Sequence, residues 1–433
     1  MTEIDIDAVD YFRTKDLYDD PYPYFEQVRE RCPVTQEPYQ HVFMITGYDE
    51  AIATYHDQAS FSNCNSAIGP FAKFPVPLEG DDITGIIETY RDELPFGDQL
   101  PAFDPPKHTA QRGLLMRLIT PKRLKENEEF MWRLADRQLD QVLPGGRCEF
   151  IDDFAQPYTL LVIADLLGVP EEDHAMLLAR RGLSQMPGTR PGGVTPREPA
   201  ARTSGHNTLE VFYDYFSGKI AERRERPRGD VLTGMAQSLF PDGSVPEPIE
   251  VARIASNLFA AGQETTVRLI ATALRRIAEE PQTQAELRAN RDLIPRFIEE
   301  VLRTEGPILG EYRLAIKTTE LGGVHIPAGT QVFLSNGGAN RDPRQFECPA
   351  EFRATRENVR RHIAFGHGIH TCPGAPLARS ETRITVERLL ERTSDIRINE
   401  EAHGPAGSHR YDYMKTHMFH GINTLHLDFT VGN

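Results

Sequence analysis

The sequence predicts one large, mainly α-helical domain with small β-sheets, and three observations predict it. Long stretches of helical periodicity are punctuated by proline and glycine. Strand-forming runs are few and short. No repeat, composition shift or Pro/Gly/Ser-rich tract marks a linker, so residues 1–433 read as a single domain, although length alone would suggest about three.

The elements follow in chain order. Val42 to Thr46 is a strand. Pro121 to Leu143 is a charged amphipathic helix ended by Pro144-Gly145-Gly146. Tyr158 to Gly168 is a short apolar helix, closed by Gly168 and then Pro170 in the expected stop order. Thr208 to Arg224 is amphipathic again. Pro248 to Glu280 reads as one helix which, at ~1.5 Å per residue, approaches about 50 Å and crosses the whole domain. Leu321 to Leu334 reads as a hairpin turning at Pro327-Ala328-Gly329, and Leu425 to Phe429 as a last strand. Two segments are long and loop-like, Asn63 to Lys107 and Met186 to Ser204. Loops above ~15 residues in compact domains are usually binding elements or lids.

The charge balance, 48 basic against 64 acidic residues for a net −16, argues against a nucleic-acid-binding or lipid-surface role. Five cysteines, odd in number and widely spread, make no disulfide framework and fit a reducing cytosol. The acidic start is unlike a secretory signal. The longest apolar stretch, Tyr158 to Val169, is interrupted by Asp165 and falls short of the ~20 residues a membrane span needs. A soluble cytoplasmic protein is expected.

Three patterns carry chemistry. Phe365-Gly366-His367-Gly368-Ile369-His370-Thr371-Cys372-Pro373-Gly374 places a cysteine in a glycine-rich loop before a helix. Helix N-termini favour thiolate, and thiolate is a soft ligand for iron. On the residues alone, a buried structural cysteine is the commoner outcome. A zinc site through His367, His370 and Cys372 lacks a further ligand of suitable spacing. In the long helix, Ala261-Gly262-Gln263-Glu264-Thr265-Thr266 puts glycine and polar groups where apolar residues prevail. Glycine there costs ~1 kcal/mol against alanine, and such local inconsistency marks function or, more plainly, a solvated face. Glu300 and Arg303 are spaced i, i+3 and can pair, which alone is usually a surface salt bridge.

The cysteine segment resembles the haem-binding loop of the cytochrome P450 monooxygenases at every fixed position. The resemblance implies that Cys372 is the proximal thiolate ligand of a haem b iron. Phe365 would pack beside the sulfur, His370 would bond a haem propionate, and Gly374 would be among the haem-binding residues. Ala261 to Thr266 resembles the family's oxygen-binding helix, which implies that Glu264 and Thr265 manage protons for bound dioxygen and that Gly262 leaves room for it. His108 and Arg112 resemble a His-x-x-x-Arg pair, and Arg313 an Arg-x-Ala strand, that would contact the propionates. Glu300, Arg303 and Arg356 resemble the structural trio beneath the haem.

The resemblance, in the style of soluble bacterial members with no fused reductase, covers roughly Pro21 to Asp428. It implies a monomeric monooxygenase acting on a hydrophobic small molecule with O2. Electrons would come from a ferredoxin, a ferredoxin reductase and NAD(P)H. Arg112, Arg117, Lys122, Arg123, Arg360, Arg361 and Arg379 are candidates for the docking face. A peroxide-driven haem-thiolate peroxygenase is disfavoured by the Glu264-Thr265 pair. A non-catalytic haem sensor or carrier would need neither residue. The pocket is expected from Asn63 to Lys107 (Ile68, Phe71, Phe74, Val76 and Pro77 supplying apolar surface), Met186 to Ser204, Phe259 to Gln263, Ile308 to Glu311, and Lys415 to Met418. Pro373 departs from expectation. It has no N–H to offer the sulfur, which predicts an electron-rich thiolate and a lowered reduction potential.

Overall fold

A helix of 32 residues, Pro248–Glu279, organises the molecule. Its first turn is closed by Pro248 at the first helical position and a reciprocal capping pair, Glu247 with Glu250. It buries side chains along most of its length and packs against Gln156–Leu166, Glu210–Glu225, Ile294–Glu305 and Ala375–Arg392. The computed structural model describes residues 4–66, 69, 74–94, 96–179 and 210–432. Among these, no helix is long and apolar enough to cross a membrane.

The other expected helices form within a few residues of their anticipated ends. Pro121–Val142 begins where Thr120 accepts the Arg123 N–H at 3.3 Å, and buries Phe130, Met131, Leu134 and Leu139. Gln156–Leu166 is apolar all round because it is enclosed all round; eight of its eleven residues are buried. It stops at Gly168, whose φ of 74° is the left-handed conformation that closes a helix.

Strands Val34–Gln36, Phe43–Ile45, Gln331–Leu334, Glu311–Ala315 and Phe61–Ser62 form one sheet in that order. Its only parallel pairing is Phe43–Ile45 with Gln331–Leu334. A second sheet joins Arg147–Glu149, His426–Val431 and Thr393–Ile398.

Two expectations need correction. The hairpin turns at Gly322-Gly323, between Thr319–Leu321 and Val324–Ile326, and not at Pro327-Ala328-Gly329. Both glycines have positive φ, 59° and 78°, as a two-residue hairpin turn requires. After Pro327 the chain departs to the five-stranded sheet. The stretch from Asn63 to Lys107 is not loop throughout, because it contains the helix Thr84–Tyr90. It is anchored by Asp104, which accepts from Ser62 Oγ at 2.5 Å, the Asn63 N–H at 2.9 Å and Arg91 at 2.7 Å. Met186 to Ser204, Ile68 and Phe71 lie outside the described residues.

Candidate active site

Between the long helix and the Cys372 loop lies a cavity of about 340 Å³. Ala261, Gly262 and Thr265 line it from the helix; Phe365, Cys372, Pro373 and Gly374 line it from the loop. The loop is closed by the Cys372 N–H, which donates to the Phe365 carbonyl at 2.8 Å. Glycine is required within it. At Gly368 φ is 68°, and an added Cβ would stand 2.7 Å from the Tyr55 carbonyl oxygen. Burial pushes the Cys372 thiol up, whereas the Gly374 and Ala375 amides and the Arg112 charge favour its thiolate. Two amide donors therefore serve the sulfur after Pro373, which contributes none.

Basic groups gather at one edge of this cavity. His108 is buried, and neither ring nitrogen has a partner among the described residues. His370 Nε2 is buried and unpartnered in the same way. The two rings are 4.0 Å apart. Arg112, one helical turn from His108 on Lys107–Met116, gives one bond of 2.5 Å to the Thr371 carbonyl. Arg313 is buried in Glu311–Ala315 and donates to the Tyr312 carbonyl at 2.7 Å and to Glu311 at 3.1 Å. Burial first, then the charges of Arg313, His108 and Arg112, push His370 down to about 2. Desolvated donors without partners, such as His108 and His370, suit a buried anion such as a carboxylate. The orphaned nitrogens and the cavity-facing sulfur thus fit a haem, whereas Arg313 is paired with Glu311 and is not among the lining residues.

On the long helix, Thr265 faces the cavity and its Oγ1 donates to the Ala261 carbonyl at 2.8 Å. A Cβ on Gly262 would meet Ile163 at 3.6 Å, an ordinary contact. Glu264 is not part of the cavity wall among the described residues. It is held by Arg268, whose Nε donates at 2.8 Å and whose second nitrogen also bonds the carboxylate. Arg268 is anchored in turn on the Ile422 carbonyl at 2.5 Å.

Beneath the cysteine loop, the Glu300–Arg303 pair is wholly buried instead of exposed. Arg303 bonds both Glu300 oxygens at 2.8 Å, and Arg356 joins at 3.1 Å. The neighbouring Glu299, unmarked in the sequence reading, bonds His362 at 2.9 Å and Arg379 at 2.6 Å. Burial alone would raise its carboxyl, but these partners bring it down to about 2. The candidate docking cations separate accordingly. Arg379 is committed to Glu299, Lys122 and Arg123 pair with Glu126, and Arg112 is turned inward. Arg117, Arg360 and Arg361 are exposed and have no carboxylate partner among the described residues.

The upper wall includes Asn63, Phe96, Gln99, Leu100, Ile308 and Met418, from three of the expected segments. Phe74 instead packs against the small core around Ile83 and Leu314. Val76 and Pro77 are likewise not among the lining residues. Asn257, also lining, had no sequence signal, because one asparagine in an apolar helix has no distinctive spacing.

The comparisons with known proteins agree with this arrangement. A family model described as Cytochrome P450 matches residues 201–394. Cytochrome P450 monooxygenase PikC of Streptomyces venezuelae is 32% identical, over 89% of this chain and 86% of its own length. The 6-deoxyerythronolide B hydroxylase of Saccharopolyspora erythraea is 31% identical, over 92% of each chain. The substrate-free structure of Mycobacterium marinum cytochrome P450 CYP150A6 matches with a TM-score of 0.91 at 47% identity, covering 99% of this chain and 100% of that one. The chain belongs to the cytochrome P450 family, monooxygenases that hold a haem iron.

Proposed function

We propose that this protein inserts one atom of O2 into a hydrophobic small molecule, by hydroxylation or epoxidation, with haem b as cofactor and a ferredoxin as electron donor. The observation that carries this reading is the meeting of Cys372 and Thr265 in the wall of one cavity. When bound, the haem supplies the iron at which dioxygen is reduced and cleaved.

The chain's own residues do the rest. Cys372 Sγ would hold the iron as thiolate, and the Gly374 and Ala375 amides favour that form. Phe365 shields it, with the Arg379 guanidinium 4.6 Å above its ring. His108, Arg112, Arg313 and His370 would hold the propionates. Leu115, Ile163, Leu258 and Leu269 keep the cavity wall apolar and exclude water. Thr265 Oγ1 holds a proton in the cavity wall and would deliver it by turning from the Ala261 carbonyl. Glu264, once it leaves Arg268 and takes up a proton from solvent, would pass that proton on to replace it.

NAD(P)H consumption, followed with a surrogate ferredoxin and its reductase, tests the reading. Substrate-dependent oxidation of NAD(P)H with oxygenated product supports it. Turnover with hydrogen peroxide alone would point to a peroxygenase, and binding without turnover to a carrier.

A further inference from the structure

At one end of the cavity wall, away from the basic edge of His108, Arg112 and His370, an uncharged polar pair stands among apolar neighbours. Asn257 and Gln99 both line the cavity, beside Ile254, Leu258, Phe96 and Leu100. Asn257 Nδ2 donates to Gln99 Oε1. Gln99 is 3% exposed, and its Nε2 donates to Tyr213 Oη at 2.6 Å and to Asp98 at 3.1 Å. Asp98 is itself paired with Arg253 at 2.9 Å. Gln99 is thereby held in one orientation, and it holds Asn257 in turn.

What remains is the Asn257 carbonyl oxygen, which accepts no hydrogen bond among the described residues. Asn257 is half-buried, and an amide oxygen that an occupant cuts off from water without supplying a donor is costly, so such an occupant must bring one. A wholly apolar molecule brings none. A carboxylate brings none either, and meets no free cation at this station among the described residues. A cation finds no free acid there among the described residues, because Asp98 is already engaged. Asn257 precedes Thr265 by eight positions on one continuous helix, which at ~1.5 Å per residue is about 12 Å.

We propose that the substrate is an elongated apolar molecule bearing an uncharged hydroxyl, which Asn257 binds about 12 Å along the helix from the level of oxidation at Thr265. Asn257 is then a substrate-binding residue and Gln99 a positioning residue. The inference rests on the monooxygenase reading above and adds the substrate's class.

The test is an optical titration of the purified haem-loaded protein with dodecanol, its methyl ether and dodecanoate. Wild type, Asn257→Leu and Gln99→Leu are compared. The ferrous–CO spectrum of each sample is recorded first. Dodecanol is expected to bind wild type about tenfold more tightly than the ether or the carboxylate. Asn257→Leu should erase that preference while leaving ether affinity within about twofold. Gln99→Leu should reduce the preference without removing it. Equal affinities in wild type, a preference that survives in Asn257→Leu, or no binding of dodecanol would each overturn the inference. A ferrous–CO spectrum without the thiolate band would overturn the monooxygenase reading itself, and so is distinguishable from a failure of this inference alone.

Discussion

Beneath the cysteine loop, charged side chains divide their donors between one buried carboxylate and backbone carbonyls; at the far end of the cavity, neutral amides hold one another and leave an acceptor open. Arg303 bonds the carbonyls of Asn340, Pro349 and Glu351, and Arg356 those of Glu347, Cys348 and Glu351. The chain between residues 347 and 356 has no helix or strand to satisfy those carbonyls, so the arginines take that role. The far end uses Gln99, Asn257 and Tyr213, which are uncharged. The difference separates two demands. A floor that must hold a cofactor in one geometry is over-determined. A wall that must admit and release a substrate keeps weaker, exchangeable contacts.

The largest expected effect comes from breaking the floor. Arg303→Ala leaves Glu300 buried without its principal partner and should cost about 3–5 kcal/mol of unfolding free energy in urea denaturation. A loss under about 1 kcal/mol, the worth of an exposed pair, would show that the trio is not a structural lock.

The second effect is a pH dependence on the same floor. The Glu299 carboxyl ionises at about 2 in the folded protein against 4.5 ordinarily. Its stabilisation is therefore complete above about 4.5 and drains away as pH falls toward 2. That shift corresponds to about 3 kcal/mol. Thermal unfolding between these limits should show Glu299→Gln with a flatter acid limb than wild type; parallel limbs would refute the assignment.

A third experiment moves to the reacting end of the cavity. Thr265→Ala should bind substrate and accept electrons normally, yet form about tenfold less product per NAD(P)H, the difference appearing as hydrogen peroxide. Thr265→Ser should retain coupling. Unchanged coupling in the alanine variant would remove Thr265 from proton delivery.

The smallest effect concerns the sulfur. Gly374 and Ala375 already supply amides, so Pro373→Leu adds one further donor to two. One hydrogen bond of about 1 kcal/mol corresponds to a few tens of millivolts for a one-electron couple, and the potential should rise by that amount. Spectroelectrochemistry showing no rise would mean that the added N–H does not reach the sulfur.

The same contrast explains what was legible in the sequence. The loop Phe365 to Gly374 and the run Ala261 to Thr266 each compress their chemistry into ten residues or fewer, so spacing and composition expose them. The Glu299 cluster joins residues 63 and 80 positions apart, and the Gln99–Asn257 contact spans 158. Such pairings exist only after the helices pack, and no local pattern announces them. Glu300 and Arg303 were legible as a pair, but their burial depends on the chain that Arg303 and Arg356 organise. The hairpin was misread because Pro327-Ala328-Gly329 and Gly322-Gly323 are both credible turns. The pairing of Gln331–Leu334 with distant strands decides between them.

The central claim is that Cys372 binds a haem iron as thiolate at the floor of this cavity. The ferrous–CO difference spectrum tests it most directly, recorded on wild type and on Cys372→Ser. The account predicts the red-shifted band of thiolate-ligated haem in the wild-type protein and its loss in the serine variant. A band at shorter wavelength in wild type, or a red-shifted band that persists without the Cys372 sulfur, would contradict it.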